Sequence, residues 1–399
     1  MTEQLKLKLN DSKATRWGAL VIVAFTMMAA YYVNDVVAPL KTMLETDLAW
    51  SSTDFGFFTG GYSFLNVFFL MLIWGGLILD RFGIRFTGKL ATILMVGGTA
   101  LEYYAMTGLA GADATLFGIN EIFGYKTGVF VAFAGYSIFG VGAEVAGITV
   151  SKIIAKWFKG KELATAMGVQ VALARIGSQA GYAVAIPLAR AFGISTPVLL
   201  GLVLLLGGMI AFFIFAVMDK KLDKQMEAAA IAAGTEDEEE KFSFKDVKNI
   251  LVNPGFWLIA LLCVLFYSCV FPFQKFASEL MIIKYGINEN VAGTFAGLPA
   301  LGALILTPVF GGFIDKRGKS ASIMLLGSAM LICVHFIYAI PDINYWLVAI
   351  VLMIILGIAF SLVPSAMWPA VAKIFPVSQL GTAYALIFFI QNNLRNRGP

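Results

Sequence analysis

Apolar runs of roughly 20 residues recur along this chain, at 17–40, 53–79, 87–108, 126–152, 163–189, 196–218, 256–283, 290–314, 321–341, 344–371 and 379–393, with short polar stretches between them. Each run is long enough, as a helix, to cross the hydrocarbon layer of a bilayer. The pattern therefore predicts an all-α membrane protein of eleven spans. Six spans precede a polar stretch at 219–254 and five follow it. The expected organisation is an N-terminal six-helix bundle (1–218), a linker (219–254) and a second bundle (255–399) with about 11 of 12 spans present. The last run breaks off in Gln391-Asn392-Asn393 and then Arg395 and Arg397, basic residues where the topology expects the outer face. A truncated or frame-altered product is the expectation, and a natural eleven-span chain the alternative.

Where the second run ends, the chain reads Gly75-Gly76-Leu-Ile-Leu-Asp80-Arg81-Phe-Gly83-Ile-Arg85. An echo closes the eighth run: Gly311-Gly312-Phe-Ile-Asp315-Lys316-Arg317-Gly318-Lys319. Glycines allow close helix approach, the acid needs a cation or a helix N-terminus, and the basic residues hold the turn on one side of the membrane. A doubled helical unit is implied.

Positive charge sets the orientation. Lys6, Lys8, Lys13 and Arg16 precede the first span, Arg81, Arg85 and Lys89 follow the second, Lys152, Lys156, Lys159 and Lys161 follow the fourth, and Lys316, Arg317 and Lys319 follow the eighth. The alternate connections carry only Lys41, Lys126, Arg190 and Lys284. The N-terminus and the basic loops are thus expected in the cytoplasm. The linker, with its acidic run from Glu236 to Glu240 and an amphipathic stretch from Phe242 to Leu251, reads as a solvated cytoplasmic tether.

Composition agrees with the pattern: 59% of residues are hydrophobic and 14% charged, against about 25% charged in soluble domains. The net charge of +4 contains no basic tract for nucleic acid. Cys263, Cys269 and Cys333 lack metal-ligand spacing and read as packing residues. No phosphate loop, zinc helix or nucleophile elbow occurs in a suitable context, so neither an enzyme nor a cofactor is expected.

Charges inside spans are costly and mark working parts. Glu144 lies about 13 residues before the turn at Trp157-Phe158 and Arg175 about 17 after it, so their depths differ by about 6 Å. They either bridge each other or grip opposite ends of a zwitterion. Lys275 and Glu279, four apart, form a mutual pair or a gate, and Pro272 can break their helix. Asp35, with Tyr31, Tyr32 and Asn34, lines an entrance or anchors the interface. Glu102 beside Tyr103 and Tyr104 reads as interfacial, with a proton carrier as the alternative, and His335 as packing, with a proton relay as the alternative.

The Asp80 motif resembles the loop after the second helix of the major facilitator superfamily, and the Asp315 motif the loop after the eighth. Further matches are Trp157-Phe-Lys-Gly-Lys161-Glu162-Leu, Ala174-Arg175-Ile-Gly177-Ser178, Phe271-Pro272-Phe273, Pro308-Val-Phe-Gly311, Trp368-Pro369 and Gln379-Leu-Gly381-Thr-Ala-Tyr384 with Ile390-Gln391-Asn392. Together they are similar to the lysosomal dipeptide transporter branch of that superfamily and its bacterial relatives, over nearly all of the chain. The resemblance implies a facilitative carrier for dipeptides, favouring those with a basic residue, and it places Glu144 and Arg175 in the central site. Gln274-Lys275 and Glu279 depart from the branch by their charge, which bears on substrate preference.

The expected mechanism is alternating access about a midplane site. Glu144 takes the peptide's amino group and Arg175 its carboxylate, while Tyr32, Trp368 and Gln391 add walls and hydrogen bonds. Asp80, Arg81, Gly83 and Arg85, with Asp315 and Lys316, clamp the cytoplasmic side in the outward-open state. The expected partners are a small-molecule substrate and the lipid bilayer; the sequence specifies no accessory subunit. Two rival readings stand beside this one. One is a proton-coupled carrier of an organic anion or sugar, with Arg175 as anion clamp and Glu144 or Asp35 as proton site. The other is a non-transporting membrane receptor or assembly partner. The compartment is a bacterial inner membrane, from the short loops, or a lysosomal membrane, from the resemblance.

Overall fold

The computed structural model describes residues 8–111, 114–158, 161–233, 244–375, 383 and 386–391. The acidic run of the linker and most of the Gln379–Tyr384 motif lie outside them, as do the side chains of Asp80, Asp315 and Lys316.

The first half runs through α1 (Lys13–Val36), the short α2 (Lys41–Asp47), α3 (Ser52–Phe68), α4 (Met71–Thr107), α5 (Thr127–Trp157), α6 (Leu163–Phe192) and α7 (Thr196–Ala233), with a two-stranded hairpin, β1 (Glu121–Ile122) and β2 (Tyr125–Lys126), before α5. The second half contains α8 (Phe244–Val252), α9 (Pro254–Ile283), α10 (Glu289–Ala296), α11 (Leu298–Arg317), α12 (Ser320–Ala339) and α13 (Trp346–Ile374), followed by helical residues 386–391. α4 packs along α5, and α1 between α6 and α7; in the second half α13 is flanked by α11 and α12. One apolar core is drawn from residues 19–222. A second is built from residues 250–387 together with Ala38 and Tyr182 of the first half.

Among the described residues seven helices are long and apolar enough to cross a membrane, or eight when Ser52–Phe68 and Met71–Leu79, bent by 58°, count as one span. Eleven runs were expected. The last expected run, 379–393, lies mostly outside the described residues, and the other unmatched runs fall on elements that carry polar residues. α6 holds Gln170, Arg175 and Gln179, and the latter part of α4 holds Lys89 and Glu102, side chains that lower hydropathy where a bundle needs them. Pro272 does not break α9, which continues past it to Ile283. α7 likewise runs beyond the expected end of its span, to Ala233.

The sequence repeat recurs in the backbone. Gly83 has φ 75° and Gly318 φ 67°, each three residues after the motif aspartate. This left-handed region favours residues without a Cβ. Gly83 turns the chain within α4, and Gly318 ends α11.

The two ends of the molecule differ. At the near end, where α1 begins, the ion pairs of Arg85 and Lys156 stay within the first half. Arg85 reaches Asp223 at 2.6 Å and Asp219 at 3.6 Å, and Lys156 reaches Asp219 at 2.7 Å. Arg16 bonds Glu162 at 2.8 Å and holds its carboxyl below the ordinary range. At the far end, where α1 finishes, the contacts join the halves. Lys41 pairs with Glu279 at 2.5 Å, Arg190 with Glu289 and, at 2.9 Å, with Asn290, and Phe55 meets Phe276 edge-on at 5.6 Å. Tyr182 donates to the Gln274 carbonyl at 3.3 Å. The far end is closed.

Candidate functional site

Arg175 lies 12 residues into α6, and Glu144 lies 13 residues before the last residue of α5. Both are therefore about 18–20 Å from the near ends of their helices. Close backbone approach brings their partners within reach. A Cβ on Gly177 would stand 2.1 Å from the Met28 carbonyl oxygen, so only glycine lets α6 lie this close to α1, where Tyr31 follows one turn later. Gly140 does the same on α5: its Cβ would stand 2.1 Å from the Tyr62 carbonyl oxygen. The Tyr62 hydroxyl then donates to Glu144 Oε1 at 3.1 Å.

The Arg175 guanidinium is held between rings, 5.5 Å from the centre of Tyr31 and 4.9 Å from that of Phe360 on α13. Such contacts stabilise a cation by about 0.5–2 kcal/mol but leave the planar N–H fork able to accept a carboxylate. Among the described residues Arg175 makes no ion pair, so the direct Glu144 bridge is not formed in this conformation. Glu144 lies at a similar depth on the neighbouring α5.

The second half supplies an aromatic wall. Phe360 meets Tyr267 nearly perpendicularly at 6.3 Å, and Tyr267 stacks on Phe271 at 5.1 Å. Trp368 stacks on Phe388 at 4.9 Å. Gln391 is buried and its Oε1 accepts from Cys263 at 3.3 Å, one turn before Tyr267. Trp368 thus packs against the core of the second half, and Gln391 bonds Cys263 of that core.

Tyr32 does not face Arg175. It is buried inside the first half, packs toward Gly201 and donates to the Pro197 carbonyl at 3.2 Å. Adjacent residues on a helix point about 100° apart, and it is Tyr31 that faces Arg175. Of the residues expected at the gate, Arg81 is exposed and lies over Phe82, and Arg85 is engaged by α7 of its own half. The side chains of Asp80, Asp315 and Lys316 lie outside the described residues.

Lys275 and Glu279 do not pair with each other. Glu279 binds Lys41, whereas Lys275 donates to the Asn34 carbonyl and lies 3.6 Å from Asp35. Asp35 is therefore engaged at the boundary between the halves. Glu102, expected at the interface, is fully buried, because α4 packs closely against Gly135 of α5 at this level. His335 bonds the Leu331 carbonyl at 2.9 Å and packs edge-on against Phe273. Sequence reasoning missed Tyr62, Tyr267 and Phe360. Tyr267 and Phe360 lie in apolar runs where an aromatic residue is unremarked; the only sequence signal was the helical spacing of Tyr267 to Phe271.

Comparison with known proteins accords with this architecture. The Major Facilitator Superfamily pattern matches residues 20–394. The chain is 29% identical over 393 residues to the lysosomal dipeptide transporter MFSD1 of Homo sapiens, covering 95% of this chain and 77% of that one. It superposes on the xylose transporter XylE from E. coli with a TM-score of 0.66 at 15% identity, covering 96% of this chain and 90% of that one. A bacterial homologue of the human lysosomal transporter Spinster gives 0.65 at 15% identity, with 96% and 81% covered. At such identities these structures speak for the fold alone. The chain belongs to the Major Facilitator Superfamily and is a multi-pass membrane transporter, not an enzyme.

Proposed function

We propose that this transporter moves dipeptides by facilitated diffusion through alternating access. The observation that carries the reading is Arg175: deep in the bundle, clasped by Tyr31 and Phe360, and without an ion pair among the described residues. Glu144, held by Tyr62, lies at a similar depth on α5. A zwitterion supplies the two charges that this arrangement takes, its carboxylate on the guanidinium and its ammonium on Glu144. A neutral sugar offers neither. The curated relative is named a dipeptide transporter, which supports the same substrate class.

In this reading the near end is cytoplasmic, following the excess of lysine and arginine there, and the far-closed conformation is inward-facing. Rocking of the halves would open the far end while the turns at Gly83 and Gly318, with Asp80 and Asp315, close the near one. The short connecting loops favour a bacterial inner membrane, with the lysosomal membrane as the alternative. Dipeptides with a basic residue are the preferred cargo. The test is counterflow in proteoliposomes. Labelled dipeptide should accumulate against unlabelled dipeptide with no accompanying pH change; a substrate-driven pH change would point to proton coupling, and absence of any counterflow would contradict the reading.

A further inference from the structure

Lys275 lies eight residues before the last residue of α9, is 6% exposed, and its hydrogen-bonding contacts described above belong to the other half of the molecule. Its ammonium donates to the Asn34 carbonyl and, at 3.2 Å, to the Tyr136 hydroxyl oxygen. It lies 3.6 Å from Asp35 Oδ1 and 5.7 Å from the centre of the Tyr136 ring. These groups also bond one another. Asn34 Nδ2 donates to Asp35 Oδ1 at 2.8 Å, and the Tyr136 hydroxyl donates to the Asn34 carbonyl at 2.8 Å. The pocket wall is therefore organised by the first half itself.

Two acceptors, one carboxylate and one ring face suit a primary ammonium, which offers three donors and a compact charge.

We propose that Asn34, Asp35 and Tyr136 form an ammonium site of which Lys275 is the tethered occupant only while the far end is closed. When the halves part there, α9 withdraws the lysine and the site opens to the far-side vestibule. It then takes the α-ammonium or the lysine side chain of an arriving peptide, a step that rests on the dipeptide reading above. Closure returns Lys275 and displaces that cation toward Glu144. The same site thus serves as an entrance subsite in one conformation and as a latch in the other.

The site can be tested without transport. In purified Lys275→Ala protein, n-butylammonium chloride should raise the melting temperature saturably, whereas butanol and sodium chloride should not. The unaltered protein, its site filled, should not respond, and adding Asp35→Asn to Lys275→Ala should abolish the rise. Equal responses to butylammonium and butanol would overturn the proposal. A second measurement spares Lys275: butylammonium should compete with dipeptide supplied from the far side, and Asp35→Asn should weaken that competition about tenfold. Unchanged competition would also overturn it. If no dipeptide is moved at all, the dipeptide reading falls, and the thermal response still decides the ammonium site.

Discussion

Arg175 of α6 and Phe360 of α13 meet across the boundary between the two halves, with the guanidinium carbon 4.9 Å from the ring centre. The contact ties Arg175 to the half that must move past it. Tyr31 of α1 holds the other side at 5.5 Å, so the cation is positioned by rings from both halves and needs no carboxylate of the protein to hold it. A half-buried arginine clasped in this way is prepared for an anion that arrives from outside.

This arrangement separates folding from binding. Because Arg175 makes no ion pair among the described residues, Arg175→Ala strands no buried counter-charge. Stability should change by only about 1 kcal/mol, while dipeptide uptake should be lost. Arg175→Lys should restore little, since an ammonium cannot make the planar two-bond grip on a carboxylate. The check is a melting curve beside an uptake assay on the same preparations. A variant that misfolds, or a lysine variant with full uptake, would count against the role.

Gly177→Ala should be costlier to the fold than Arg175→Ala. Its new methyl carbon would stand 2.1 Å from the Met28 carbonyl oxygen, and that atom is backbone, with no flexible side chain to yield. Separating α1 from α6 should cost about 1–3 kcal/mol and draw Arg175 away from Tyr31. Reduced melting temperature with weakened dipeptide binding is the expected result. Wild-type stability would show that the helices are less closely packed than described.

The far-end seal predicts a conformational lock. Cysteines replacing Lys41 and Glu279, in a background where Cys269 and Cys333 are replaced, should be bridged by a short thiol cross-linker because the native side chains meet at 2.5 Å. Bridging should stop uptake, and reduction of a cleavable linker should restore it. Uptake that survives complete cross-linking would mean that this end need not open.

The near end should show the opposite sensitivity. Gly83 and Gly318 give the two halves matching left-handed turns three residues after Asp80 and Asp315. If these turns carry a clamp, Asp80→Asn should slow turnover far more than it weakens dipeptide binding, because the motif lies away from Glu144 and Arg175. Equal losses in single-turnover binding and steady-state uptake would speak against a clamp.

Much of this architecture was legible in the sequence because a bilayer restricts the choices: long apolar runs become helices, and an arginine inside one must face the interior. The repeat around Asp80 and Asp315 and the depths of Glu144 and Arg175 could be read from spacing alone. Tyr32 and Phe360 were beyond it. Which of two adjacent tyrosines faces Arg175 depends on the rotation of α1, and that is fixed by contacts such as Gly177 on Met28, made between segments about 150 residues apart. The partners of Lys275 were hidden for a similar reason. Its neighbour on the helix, Glu279, satisfied the local charge count, whereas the actual partners lie on α1 and α5 and depend on how the halves meet.

The central claim is that Arg175 holds the peptide carboxylate and Glu144 its amino group, and chemically blocked dipeptides test it most directly. A dipeptide amide should bind the unaltered protein poorly and lose little more in Arg175→Ala; an N-acetylated dipeptide should behave in the same way with Glu144→Ala. Binding to correctly folded protein that is indifferent to both blocking groups would contradict the assignment of both residues.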